Sequence, residues 1–197
     1  MKNISDKIHG LTLKIDSYEG YEIKTIEGTI QLPAWAGFQS RKGAYGSADG
    51  QEKSDGLVKL IVGGDMVLDN PEVTQVHVEA YNYLVQNQEG IRDAILTALL
   101  AQYKELQEDY GYYDEDAASV MPDVNDVSQF KSLIGLSTVH LMNVSKDGTA
   151  YIGYEFGCSW DDEHGLGFMT HKDRVIKIGG ADTSFLTWVA KEDLNPE

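Results

Sequence analysis

Helical periodicity is confined to one long stretch of this chain, and strand-like patterning lies on both sides of it. Ile91, Ala94, Ile95, Ala98, Leu99, Gln102 and Leu106 recur at helical spacing, and Leu96, Leu100 and Tyr103 widen the apolar stripe. Asn87 is placed as an N-cap, Glu89 falls in the first turn, and Gly111 stands just past the end, which predicts a helix over 88–109. One helix among many strands cannot alternate with them, so a doubly wound sheet is disfavoured.

The strand signals come in pairs. Leu11, Leu13 and Ile15 alternate with polar residues, Ser17-Tyr18-Glu19-Gly20 offers a turn, and Tyr21, Ile23, Ile26, Ile30 and Leu32 continue the pattern up to Pro33. Leu136–Val144 and Thr149–Phe156 flank Asp147-Gly148, the strongest hairpin signal in the chain. Phe168–His171 and Arg174–Ile178 flank Lys172-Asp173 in the same way. Leu57–Val62 and Val73–Val78 also read as strands, and short helices are expected near 126–133 and 183–190, the last capped by Asp182. The glycine-rich stretch 35–56 reads as a long loop, a feature that is usually functional or mobile. Leu57–Asp65 echoes Arg174–Asp182, each a strand closed by a glycine pair and an aspartate, a common form of turn punctuation. The expected fold is α+β: a largely antiparallel sheet built from hairpins, packed against one long helix and two short ones. No Pro- or Ser-rich linker divides the chain, so residues 1–197 read as one domain.

Hydrophobic residues make up 42% of the 197, enough for a core that needs neither disulfides nor metal to fold. The single cysteine, Cys158, has no intrachain partner and suits a reducing cytoplasm. MKNISDKIHG lacks a signal-length apolar core, and the apolar run around Ala94–Ala101 is too short for a membrane span. Sixteen Lys and Arg stand against 32 Asp and Glu, a net charge of −16. Such a field repels nucleic acid and anionic lipid and speeds encounter with basic proteins. The expected partner is therefore a protein, basic in character, met in the cytoplasm.

Two segments are the candidates for contact or chemistry. Tyr110, Tyr112 and Tyr113 sit among five acids in 108–116, and tyrosine supplies rigid contact area with a polar tip. The second segment runs from Glu155 to Ser184 and holds Trp160, Asp161, Glu163, His164 and Asp182. Trp35, at the mouth of the glycine-rich loop, joins this binding set. If any metal binds, the ligands would be Asp161, Glu163, His164 and His171, with the two histidines meeting across a turn. The strict spacing of a zinc or calcium motif is missing. Cys158 with His164 or His171 is the alternative nucleophilic arrangement, though a cysteine ending an apolar strand is usually an inert core residue. The glycines form no phosphate cradle, so no cofactor is expected. A hydrolase or metal enzyme with its site in 158–182 is the competing reading.

Leu32–Phe38, Ala80–Leu84, Ile91–Ile95, Leu133–Leu136, the Trp-Asp-x-Glu-His-Gly-Leu-Gly element at 160–167 and Gly180-Ala181-Asp182-Thr183-Ser184 resemble a group of bacterial domains of unknown function. Similar small acidic domains include immunity proteins of bacterial toxin systems. The resemblance implies a bacterial cytoplasmic protein and carries over no activity and no catalytic residue.

Overall fold

The first strands form where the sequence alternates. In the computed structural model, which describes residues 7–18, 20–41, 52–65, 68–112 and 118–195, β1 (Thr12–Tyr18) pairs antiparallel with β2 (Tyr21–Gln31). β2 continues antiparallel against β3 (Leu57–Gly63). Past β3 the chain enters α1 (Gln75–Tyr110), which carries it over one face of the sheet. It returns as β4 (Ile134–Lys146), parallel to β3 with Lys59 opposite Thr138 and Val62 opposite Leu141. A parallel neighbour needs a crossover of this kind, because no tight turn can reverse the chain twice. β5 (Thr149–Cys158), β6 (Leu166–His171) and β7 (Arg174–Gly179) then add antiparallel neighbours. The seven strands lie in sequence order.

This is the α+β class expected, with the hairpins where the sequence put them. Asp147 and Gly148 both have positive φ, 50° and 75°, which a two-residue hairpin turn of the right twist requires. The expected strand at Val73–Val78 is instead the start of α1. His77, Ala80, Leu84, Ile91, Ile95, Leu99 and Tyr103 form one buried helical face, and that long period overrides the local alternation of Val76, His77 and Val78. Asn87 is a break rather than an N-cap: at φ −121° and ψ 18° it joins two helical segments that share a buried stripe. Gly111 closes the helix in the left-handed region as expected.

The buried face of α1 packs on Ile26, Ile30, Leu60, Val62, Val139, Leu141, Ile152, Tyr154, Phe156 and Phe168. Each fully buried side chain of this kind contributes about 1.5–3 kcal/mol relative to exposure. On the opposite face a smaller cluster of Met142, Val144, Tyr151 and Met169 is covered by α2 (Thr187–Leu194) through Val189 and Ala190. The short helices shift from their expected bounds: 3-10 turns occupy Val127–Ser132, capped by Asp126, and Ala181–Ser184. Asp182 does not cap α2. Asp65, at the end of β3, accepts the Thr187 N–H at 3.0 Å and the Thr187 hydroxyl. α2 is latched at its far end by Asp193, which accepts from Arg174 at 2.8 and 2.6 Å and from Tyr151 at 2.7 Å. The Arg174 hydrogen bond leads in holding the Asp193 carboxyl well below the usual carboxylate range. No described helix is long and apolar enough to cross a membrane.

Candidate functional site

α2 covers only one end of the sheet face opposite α1, and the uncovered part forms the site. Strand pairing places Thr29 opposite Lys59, Lys59 opposite Thr138, Thr138 opposite Glu155, and Glu155 opposite Gly167. One row of side chains therefore crosses β2 to β5 on a single face and ends at a glycine. The 3-10 turn sits on that glycine: a Cβ at Gly167 would stand 2.3 Å from the Gly180 carbonyl oxygen. At Gly153, beside it on β5, a Cβ would stand 1.5 Å from the Ser184 carbonyl oxygen. Missing side chains thus make a seat for the turn, and the seated turn walls off one side of a concavity of about 620 Å³. Thr29, Lys59, Thr138 and Glu155 line its floor, with Glu163, His164 and Arg41 around it.

The cations of this concavity are already engaged. Lys59 Nζ lies 2.8 Å from Glu27, and Arg41 Nη1 lies 3.2 Å from Asp162. Arg41 is buried to 6% exposure, where desolvation works against its charge and lowers its pKa. The carboxylates are less committed. Glu155 is held from behind by buried His140, whose Nε2–H donates to Oε2 at 3.1 Å, while the glutamate side chain keeps 32% exposure. Glu163 is exposed at the rim. The open part of the site therefore offers anionic oxygen.

The two segments singled out from sequence meet. Asp161 Oδ1 accepts the His164 N–H at 2.8 Å and the Glu163 N–H at 3.2 Å, which folds the 160–165 turn back on itself. Tyr110 donates to Asp161 Oδ2 at 2.8 Å, and Tyr112 donates to the Trp160 carbonyl at 2.7 Å, the two rings stacked 6.2 Å apart. Burial opposes the Asp161 charge, but the His164 N–H and the Tyr110 hydroxyl outweigh it and hold the carboxyl below its usual range. Trp160 packs edge-on against Tyr103 at 2% exposure, and Trp35 is fully buried between Phe38 and Phe156. Asp182 is exposed on the 3-10 turn beside the concavity. Tyr113 lies outside the described residues.

The histidines do not converge. His171 sits at the far end of β6, roughly 20 Å along the strand from the His164 turn, where its Nε2–H donates to the Lys146 carbonyl at 2.9 Å. Among the described residues no group of three or more His, Cys, Asp and Glu could hold a metal ion. The Cys158 thiol is buried, and desolvation pushes it up to about 12, so it stays protonated at neutral pH. Sequence reasoning missed Arg41, Lys59, Thr138, His140 and Glu155. A signal existed for two of them: His140 stands between apolar Val139 and Leu141, and Glu155 between aromatic Tyr154 and Phe156, in the interior of their strands.

A family model described as a domain of unknown function (DUF6985) matches residues 26–186. No curated protein and no solved structure matches the chain.

Proposed function

The chain belongs to the DUF6985 family of domains of unknown function, and we propose that it is a non-catalytic acidic binding module whose open sheet face receives a basic segment of a partner protein. The observation behind this reading is the imbalance within the concavity. Lys59 and Arg41 are neutralised by Glu27 and Asp162, whereas Glu155 and Glu163 face outward in a molecule of net charge −16. A lysine or arginine side chain entering there would gain a charge-assisted hydrogen bond to a carboxylate already oriented by His140. The surrounding negative field would speed its arrival. In its finer form, the domain is a cytoplasmic bacterial adaptor of the toxin-immunity kind, and its partner is a basic toxin domain.

Titration calorimetry with a short Lys/Arg-rich peptide tests the site. Replacing Glu155 and Glu163 with glutamine should weaken binding about tenfold, and raising salt should weaken it further. Neutralising exposed Glu105 and Glu108 on α1 removes the same charge elsewhere and should cost far less. Equal losses in the two double variants would sink the proposal.

A further inference from the structure

The outer edge of the sheet is unfinished in a way that fits a second copy of this chain. β2 pairs with β3 only from Ile26 to Gln31, so most of β1 lies against the part of β2 that has no neighbour on its other side. The result is a two-stranded ribbon projecting past the sheet. Such a ribbon is marginal in water, and at least three strands are needed for independent stability. Leu13 and Ile15 stand on one face of it at 44% and 52% exposure. Among the described residues nothing pairs with the outer edge of β1.

We propose that β1 pairs antiparallel with β1 of a second copy about a twofold axis at Ile15. The register follows from the sequence Thr12-Leu13-Lys14-Ile15-Asp16-Ser17-Tyr18. Directly opposed residues in an antiparallel ladder must share the same hydrogen-bonding direction, so self-pairing can centre only on a residue and not between two. Centring on Lys14 sets lysine against lysine, and centring on Asp16 sets aspartate against aspartate. Centring on Ile15 sets Lys14 of each copy against Asp16 of the other and Ile15 against Ile15. Lys14 and Asp16 already lie 3.2 Å apart within one chain, both about half exposed, so the axis would be ringed by four alternating charges. Like charges directly opposite disfavour the Lys14- and Asp16-centred registers; centring on Leu13 or Ser17 leaves both charges without an opposed partner, and only the Ile15 centre sets opposite charges against each other. The lysine that would deter indiscriminate edge pairing therefore meets an opposed carboxylate only in this self-complementary arrangement. Two marginal ribbons become one four-stranded sheet, and the contact closes as a dimer rather than propagating.

Sedimentation equilibrium of the full chain at physiological salt tests the proposal. The chain should show a monomer–dimer equilibrium. Lys14→Glu or Asp16→Lys alone should weaken it by ~10-fold or more, and the exchange of both, Lys14→Asp with Asp16→Lys, should restore it. A wild-type chain that stays monomeric at millimolar concentration, species that grow beyond dimers, or single reversals without effect would each overturn it. Should a reversal unfold the ribbon, hydrogen exchange on the unaltered chain decides instead. β1 amides should gain protection as concentration rises, and protection independent of concentration would count against the pairing.

Discussion

A methyl group at position 153 would stand 1.5 Å from the Ser184 carbonyl oxygen, closer than any real contact. Gly153→Ala should therefore lift the Ala181–Ser184 turn from the sheet and destabilise the fold by about 3 kcal/mol, read from urea denaturation. An alanine variant as stable as the parent would mean that the turn is not seated there. The glycines of this region were visible in the sequence, but their reason was not. Gly165 does adopt a positive φ of 62°, as a tight connection requires. Gly153 and Gly167 are needed for what crosses above them, and Ser184 and Gly180, 31 and 13 residues further along (184 − 153 and 180 − 167), leave no local trace at either position. The same limit applies to Trp35 and Trp160: a large aromatic beside glycines reads as exposed contact area, and only packing shows that both are core.

At the scale of elements, α1 shows how local and long-range patterns compete. Val73, Val76 and Val78 carry the β-branched signature of a strand, while His77, Ala80 and Leu84 already follow the helical period that resumes at Ile91. The longer pattern buries a continuous stripe on the sheet and prevails. His77 secures the start of the helix: Nδ1 accepts the Thr74 N–H at 3.0 Å, so Nε2 carries the proton and donates to the Met142 carbonyl at 3.0 Å. Desolvation lowers its pKa below the ordinary 6.5. The unfolded chain then binds the proton more readily, so this contribution is complete above about pH 6.5 and is lost as the pH falls toward the folded value. Urea midpoints should fall between about pH 7 and pH 5 in the parent. His77→Gln should be weaker by about 1–3 kcal/mol at neutral pH, with a shallower decline on acidification. Parallel pH profiles for the two proteins would contradict this role. Hairpins, by contrast, were legible because each is local. Asp147-Gly148 specifies its own turn and sets Lys146 opposite Thr149 and Ser145 opposite Ala150, whereas the register shifts between Leu141 and Ser145 and between Leu136 and Thr138 have no such local signal.

At the scale of the whole molecule, the fold sets a row of polar side chains on the uncovered part of one sheet face. Thr29, Lys59, Thr138 and Glu155 come from four strands and more than a hundred positions of sequence, so no spacing could have announced them. The net charge was legible at once, but where it stays unneutralised depends on which pairs the fold makes. Lys59 meets Glu27 and Arg41 meets Asp162, which leaves Glu155 and Glu163 to act outward. The most direct test is to map a Lys/Arg-rich peptide onto the labelled protein by amide chemical-shift perturbation. Shifts should concentrate at Lys59, Thr138, Glu155 and Gly165, on the face away from α1. Shifts centred on the outer side of α1, near Glu105 and Glu108, or spread evenly over the acidic surface, would contradict that expectation.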